Sequence, residues 1–320
     1  MTKVKEEKSE KPIYFVYAGA APGDHIPILS KMFPDIIFEL YDPTPIKVND
    51  TDKIHTHQTF FTHDVARQWS NQSDKYVVFC SDIRREPAIE EMVELDMNMQ
   101  LAWWNTMNPE LTMLKFRLPW KPGTTIYPKG DIYIQPYAGL TSTETRLIIP
   151  KFTGVSNGVE TKVRINNDPE LFDVIELDKL VEYDNKTYEE QLFYHNNIAR
   201  KKKYSTILDG KRELNLEKDH VDNCYDCARF IGIIEEYYRV VKGISDEDEL
   251  KANVHDLVYS IQNEIVRGKN ILTETQASFA FYKKRMYADS SESNRRIGVG
   301  RSHATMKNFA KSAKKKHTTI

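Results

Sequence analysis

The stretch Tyr14–Gly23, with the sequence YFVYAGAAPG, constrains the fold of this chain more than any other. The aromatic and β-branched run Ile13–Tyr17 meets a turn of small residues that contains Gly19 and Gly23. A helix-like stretch, His25–Phe33, follows directly. This order predicts a buried strand, a glycine-rich turn and a helix, which together form the first half of a nucleotide-binding βαβ unit.

The spacing of the two glycines indicates which ligand this turn would take. Gly19 and Gly23 allow the backbone to approach a ligand closely, but they form Gly-x-x-x-Gly and not the dinucleotide fingerprint G-x-G-x-x-G. The P-loop Lys-Ser/Thr pair is also missing after the second glycine. A nucleoside-like cofactor without phosphates, most commonly S-adenosylmethionine, therefore fits better than a pyrophosphate. A tight turn that binds no ligand is the alternative.

An acidic residue strengthens the prediction of a cofactor with a ribose. Asp42 ends a second predicted strand, Asp35–Asp42. It follows Gly23 at close to the ~20 residues that separate the glycines from the ribose-binding acid of βαβ folds. An acid at a strand end is often only a turn residue, but this spacing favours contact with ribose hydroxyls.

Composition restricts the classes of function. The 320 residues are 40% hydrophobic and 29% charged, which is ordinary for a globular chain with a substantial core. A formal net charge of −2 means that any nucleic-acid surface must be a local patch. Three cysteines, including the lone pair Cys224 and Cys227, exclude a disulfide framework and make a poor zinc site. No apolar run approaches the ~18–20 residues of a membrane span, and the charged N-terminus is no signal peptide. We therefore expect an intracellular protein without a membrane partner.

Charged residues recur on three predicted strands. Lys75–Asp82 is a buried strand with an acid at its carboxyl end, and another strand opens with Glu144. Leu111–Leu118 (LTMLKFRL) alternates as a strand, with Lys115 and Arg117 on one face and Leu114, Phe116 and Leu118 on the other. Lys115 is thus a lysine in the middle of an apolar strand. Burying the ammonium of Lys115 would cost several kcal/mol unless it is paired with a carboxylate. The alternative is an edge strand whose polar face is exposed to solvent. Open α/β sheets bind ligands at strand carboxyl ends, so Asp82, Lys115 and Glu144 form a candidate site.

The remaining pattern predicts an α/β, Rossmann-like fold of the S-adenosylmethionine-dependent methyltransferase type, with helical C-terminal additions. Late antiparallel hairpins follow the parallel strands, and a strand is predicted over Asp131–Pro136. Helices are predicted for Pro87–Asn108, Thr187–Lys203, Cys227–Val241, and from an N-cap at Ser245 to Gly268. The expected organisation is a disordered lead-in (1–12), a methyltransferase domain (13–243), a helical extension (244–282) and a basic, disordered tail (283–320). That tail could be merely solvated or could contact RNA without sequence preference.

The candidate site suits ribose 2′-O-methylation. In that reaction an alcohol oxygen with a very high pKa attacks the methyl group of a sulfonium, so a positioned base must take the proton as the bond forms. A lysine with a lowered pKa can act in this way. Flanking carboxylates such as Asp82 and Glu144 would orient the amine of Lys115.

Several segments resemble the poxvirus-type cap-specific mRNA (nucleoside-2′-O)-methyltransferase family, which also supplies the small regulatory subunit of the viral poly(A) polymerase. The segments are YAGAAPGDHI, FCSDIR, LKFRLPW, IQPYAG, ETRL and YEEQLFYHNNIAR, which follow one another in the family's order between about Tyr14 and Val241. The resemblance implies S-adenosylmethionine as cofactor and capped mRNA as substrate. It also implies methylation of the first transcribed nucleotide (cap 0 to cap 1), in the host cytoplasm at the viral factory, with the virion as a second location.

The same resemblance assigns roles residue by residue. It implies that Lys115 is the catalytic lysine and that Asp82 and Glu144 are its acidic partners. The implied cofactor-binding residues are Tyr17, Gly19, Gly23, Asp42 and Asp82. Trp120 falls where the family stacks an aromatic ring on 7-methylguanine, a cation–π contact worth ~1–2 kcal/mol. Glu189 matches the acid that bonds the guanine edge.

Departures from the family leave alternatives open. The family's site is a Lys-Asp-Lys-Glu tetrad whose first lysine precedes the glycine-rich strand, and none of Lys3, Lys5, Lys8 and Lys11 matches it in context. A cap-site tyrosine also aligns with Thr141. Lost activity, a compensating residue and a truncated sequence are all compatible with this. The alternative function is therefore a non-catalytic, RNA-binding processivity subunit that partners the catalytic subunit of a viral poly(A) polymerase.

Overall fold

The computed structural model describes Met1 and residues 10–85, 89–135, 138, 142–153, 158, 160–164, 172–218 and 229–267. Its strands are β1 (Ile13–Ala18), β2 (Ile36–Tyr41), β3 (Ile54–His57), β4 (Tyr76–Ser81), β5 (Leu111–Phe116), β6 (Thr124–Pro128), β7 (Asp131–Ile134), β8 (Thr145–Pro150), β9 (Glu160–Arg164), β10 (Phe172–Glu176) and β11 (Leu180–Asp184). Its α-helices are α1 (Ile26–Met32), α2 (His63–Gln68), α3 (Glu90–Met107), α4 (Asn185–Tyr194), α5 (Arg200–Leu208), α6 (Phe230–Glu236) and α7 (Glu247–Arg267). A 3₁₀ turn covers Leu177–Lys179, and π-helical turns cover His195–Ala199 and Tyr237–Val241.

The strands form one seven-stranded sheet in the order β3-β2-β1-β4-β5-β8-β7. The first five are parallel, whereas β8 runs antiparallel to both β5 and β7. Two small antiparallel pairs, β9–β10 and β6–β11, lie outside this sheet. A parallel sheet with one antiparallel strand inserted next to its last strand is the predicted methyltransferase variant of the doubly wound fold, which is therefore confirmed.

Hydrophobic layers cover both faces of the sheet, since the apolar runs of the central parallel strands place hydrophobic side chains on both sides. On one face, helix α3 packs Met97, Leu101 and Trp104 into a cluster with Val16 from β1. On the other face, Phe15 of β1 belongs to a second cluster that also contains residues of α1. The methionine and tryptophan stripe of α3 is thus core packing.

Several local expectations are wrong in detail. The edge-strand alternative for Lys115 fails because β5 pairs with both β4 and β8. Arg117, which the alternation placed beside Lys115 on a polar face, lies just after β5 and is only 5% exposed. The carboxylate of Asp246, and not Ser245, accepts the first backbone N–H groups of α7, from Asp248 and Glu249.

The predicted helix over Thr187–Lys203 is a longer helical stretch, α4 to α5, with a π-helical turn in its middle. Pro87, Thr141, the cysteine pair and the basic tail lie outside the described residues. Within the described part of the chain, no helix is long and apolar enough to cross a membrane.

Candidate functional site

Four charged side chains close a ring at the carboxyl edge of the parallel strands. The Lys115 ammonium lies 3.1 Å from Asp82 Oδ1 and 3.5 Å from Glu144 Oε2. The Arg146 guanidinium completes the ring, with Nη2 2.7 Å from Asp82 Oδ1 and Nη1 3.0 Å from Glu144 Oε1. Cations and anions therefore alternate. The three residues predicted to form the site are brought together, and Arg146 joins them.

The topology of the sheet explains why these side chains meet. Asp82 follows β4 directly, and Lys115 lies near the carboxyl end of the neighbouring strand β5. Because β8 is antiparallel to β5, its first residues lie at the same edge of the sheet. Lys115 and Arg146 are direct register partners, and Glu144 immediately precedes β8.

Arg146 is the site residue that the sequence reasoning missed. Its signal was present, because Arg146 lies two positions after Glu144 and alternate residues of a strand point to the same face. An arginine two positions from a predicted site acid, on the strand paired with Lys115, is the pattern that would have found it.

Partial burial and the neighbouring charges determine the protonation state of Glu144 in the ring. Its side chains are between 14% and 29% exposed. Burial alone would raise the pKa of Glu144, but the charges of Lys115 and Arg146 outweigh it and hold that pKa below its usual value. Gln135 adds a hydrogen bond by donating from Nε2 to Glu144 Oε1 at 3.0 Å. Glu144 is therefore a carboxylate at neutral pH.

The glycine turn lies directly beside the ring. Gly19 has a φ of +85°, and a Cβ there would lie 3.1 Å from the backbone of both Asp82 and Ile83. Gly23 has a φ of +79°, and a Cβ there would meet the Ile46 side chain at 2.9 Å. Both positions thus need glycine. The turn after β1 therefore packs closely against the loop after β4, at the edge where such sheets bind nucleosides.

The other residues predicted to bind the cofactor also lie at this edge. Asp42, one residue after β2, accepts backbone hydrogen bonds from Ala21 at 3.1 Å and Thr44 at 2.8 Å. Its carboxylate therefore fixes the glycine turn as well as marking the strand end. Burial raises the pKa of Tyr17, so its hydroxyl stays protonated and can donate a hydrogen bond.

Trp120 and the helix that carries Glu189 are both hydrogen-bonded to Thr143. Trp120 donates from Nε1 to Thr143 Oγ1 at 3.0 Å. Glu189 is 6% exposed on α4, and its neighbour Tyr188 donates its hydroxyl to the Thr143 carbonyl at 2.6 Å. Thr143 precedes Glu144, so this arrangement places Trp120 and α4 next to the charge ring. Within the described residues, no group of three or more His, Cys, Asp or Glu side chains could hold a metal ion.

Comparison with known proteins gives a family and two more distant likenesses. The family model described as "Poly A polymerase regulatory subunit" matches residues 1–268. The cap-specific mRNA (nucleoside-2′-O-)-methyltransferase of Fowlpox virus (strain NVSL) is 28% identical over 167 residues, which cover 46% of this chain. The chain spans about half the length of that relative (52%). A solved structure of bluetongue virus VP4, described as a multifunctional RNA-capping production line, is similar with a TM-score of 0.44 and 12% identity, covering 57% of this chain and 28% of VP4.

Proposed function

Because the chain belongs to the poly(A) polymerase regulatory subunit family, we propose that it methylates the ribose 2′-hydroxyl of the first transcribed nucleotide of capped mRNA. The observation that carries this proposal is the position of Lys115. Its amine lies between two carboxylates at the strand edge, beside the turn that contains Gly19 and Gly23. The similarity to a viral cap-specific 2′-O-methyltransferase supports the same reaction.

The residues around the glycine turn fit S-adenosylmethionine, which would supply an electrophilic methyl group on a sulfonium. Gly19 and Gly23, with positive φ angles and no side chains, would let the backbone of the turn approach the nucleoside closely. Asp42 retains unused lone pairs for ribose hydroxyls, because each of its oxygens accepts one backbone hydrogen bond. Tyr17 and Asp82 would complete the set of contacts.

Lys115 would act as the general base. A ribose hydroxyl is too weak an acid to lose its proton unaided, so Lys115, in its neutral amine form, must accept that proton as the new bond forms. Asp82 and Glu144 would aim the amine, and Arg146 would keep both carboxylates in place. Arg146 is then the ring's second cation, and it is our candidate to compensate for the family's unmatched first lysine.

Trp120 and Glu189 would bind the cap. A tryptophan face attracts a cation such as 7-methylguanine, and a carboxylate such as Glu189 accepts hydrogen bonds from the guanine edge. Trp120 is hydrogen-bonded to Thr143, next to the ring, and Tyr188, which precedes Glu189 on α4, is hydrogen-bonded to the same residue. This arrangement would hold the first nucleotide close to Lys115.

Trp120→Ala should weaken binding of 7-methyl-GTP more than binding of GTP. The methylated base is positively charged, so it alone loses the cation–π attraction, worth about 1–2 kcal/mol or roughly 5- to 30-fold in affinity. Titration of both nucleotides by calorimetry measures the difference. Tyr259→Ala, which removes an exposed aromatic ring on α7, serves as the control. Equal losses for both nucleotides would show that Trp120 only packs and does not read the methyl group.

The family also supports a second role, as regulatory subunit of a viral poly(A) polymerase. We propose that the chain associates with the polymerase's catalytic subunit in the host cytoplasm and contacts RNA there. The two roles are compatible. Loss of methyl transfer with retained cap binding would leave the processivity role as the function of this chain.

A further inference from the structure

A second layer of charged residues lies behind Trp120. The Arg117 guanidinium carbon lies 3.7 Å from the centroid of the indole ring, so the guanidinium covers one face of Trp120. Glu90, in the first turn of α3, binds both residues. Its Oε1 accepts from Arg117 Nη2 at 2.5 Å, and its Oε2 accepts from the Trp120 backbone N–H at 3.1 Å. Glu90, Arg117 and Trp120 therefore form one connected unit, which we call the Trp120 support.

Among the described residues, Arg117 forms its ion pair with the Glu90 carboxylate. Arg117 is 5% exposed, and its buried Nε and Nη1 find no hydrogen-bond acceptor within the part of the chain that the structure describes. The charge of Arg117 also acts on Arg84. Burial is the main cause that lowers the pKa of Arg84, and the positive charge of Arg117 lowers it further. A buried positive charge that a single carboxylate compensates is sensitive to the loss of that carboxylate.

We propose that Glu90 is a positioning residue that determines cap specificity, because it controls through Arg117 how strongly Trp120 prefers a charged purine over a neutral one. This inference rests on the proposed function of Trp120 as the cap-stacking residue. It adds two residues, Glu90 and Arg117, that neither the sequence reasoning nor the comparisons assign to cap recognition.

The physical reason is that the Trp120 ring would lie between two cations. A 7-methylguanine stacked on the opposite face would be about 7 Å from the guanidinium, given 3.7 Å on one side and about 3.5 Å of stacking contact on the other. At that distance two like charges repel appreciably at the effective dielectric of a protein surface. The Glu90 carboxylate offsets this repulsion. A neutral guanine feels no comparable repulsion, so the ratio of the two affinities reports the balance of charge in the Trp120 support.

The test compares 7-methyl-GTP and GTP as probes of the full chain. Glu90→Gln keeps the size of the side chain but removes its charge, and it should lower the methylated-to-unmethylated affinity ratio by about 3- to 30-fold. The double variant Glu90→Gln/Arg117→Gln removes both charges and should restore the ratio to near the native value. A purely structural role predicts no such rescue, since the double variant loses more contacts than the single one. Glu91→Gln, an exposed neighbour in the same helical turn, is the matched control.

Arg117→Gln provides an independent arm should Glu90→Gln fail to fold. With Arg117 neutral and Glu90 still charged, the affinity ratio should exceed that of the double variant. A ratio that is unchanged in Glu90→Gln, or equal in Arg117→Gln and the double variant, would overturn the inference. If Trp120→Ala lowers both affinities equally, the proposed cap site itself fails. If Trp120→Ala discriminates while the charge variants do not, only the role of Glu90 is wrong.

Discussion

Replacing Lys115 with arginine should lower the rate of methyl transfer by about 10²-fold or more while leaving the binding of cofactor and cap nearly unchanged. Arginine keeps the positive charge between Asp82 and Glu144, which now pair with Lys115 at 3.1 and 3.5 Å. It cannot give up its proton at neutral pH and so cannot serve as a base. Loss of a general base alone lowers the rate by about 10²- to 10⁴-fold, and any misalignment by the larger guanidinium adds to that loss. Single-turnover methyl transfer, with calorimetric binding of each ligand, measures both quantities.

Lys151→Arg is the matched control for this substitution. Lys151 also pairs with a carboxylate, that of Glu110 at 2.7 Å, but it follows the far end of β8, away from the ring. The Lys151→Arg variant should retain the native rate of methyl transfer. A Lys115→Arg variant that methylates as fast as the native protein would make Lys115 a structural charge and refute its assignment as the base.

Arg146→Gln should have the second largest effect, on both stability and methyl transfer. Removing the guanidinium leaves Asp82 and Glu144 with Lys115 as their shared cation in the ring. Breaking a buried ion pair costs about 3–5 kcal/mol, and the partial exposure of this ring reduces our expectation to about 1–3 kcal/mol of the free energy of unfolding. Methyl transfer should fall as well, because the carboxylates that aim Lys115 lose their second anchor.

The pH dependence of that loss follows from Glu144. Its pKa in the folded protein lies below the usual 4.5, so the stability it contributes is fully present above about pH 4.5 and is lost as the pH falls through the lowered value. The free energies of unfolding of the native protein and of Arg146→Gln should therefore differ most near neutral pH. This difference should become smaller below about pH 4.5. Arg67→Gln, which breaks the exposed pair between Arg67 and Asp64, should cost far less. If thermal unfolding shows that Arg146→Gln and Arg67→Gln lose equal free energy of unfolding, the ring does not stabilise the fold more than an exposed ion pair does.

The central sheet and most of the site could be predicted because both depend on strand order. Buried apolar runs define the parallel strands, and the carboxyl ends of such strands meet at one edge. Asp82, Lys115 and Glu144 could therefore be placed together without knowledge of their contacts. The C-terminal helix could be placed too, but its cap could not, since Ser245 and Asp246 are equally good N-cap residues and only Asp246 accepts the bonds.

Other features depend on contacts that no local pattern encodes. The pairing of β6 with β11 joins segments far apart in the sequence, and neither has a distinct strand signal. Arg117 was expected to share a polar face with Lys115, but β5 ends at Phe116. The chain then turns and buries the guanidinium against Trp120 and Glu90. Burial of a charged side chain is set by its tertiary partner, which alternation along a strand cannot reveal.

The most direct test of the proposed activity is methyl transfer to two capped RNAs that differ in a single atom. One carries a 2′-hydroxyl on the first transcribed nucleotide and the other is 2′-deoxy at that nucleotide. With radiolabelled S-adenosylmethionine, the native protein should label the first RNA and leave the second unlabelled, while binding both with similar affinity. Binding of cofactor and cap without label in either RNA would contradict the account. That result would make the chain a non-catalytic member of its family.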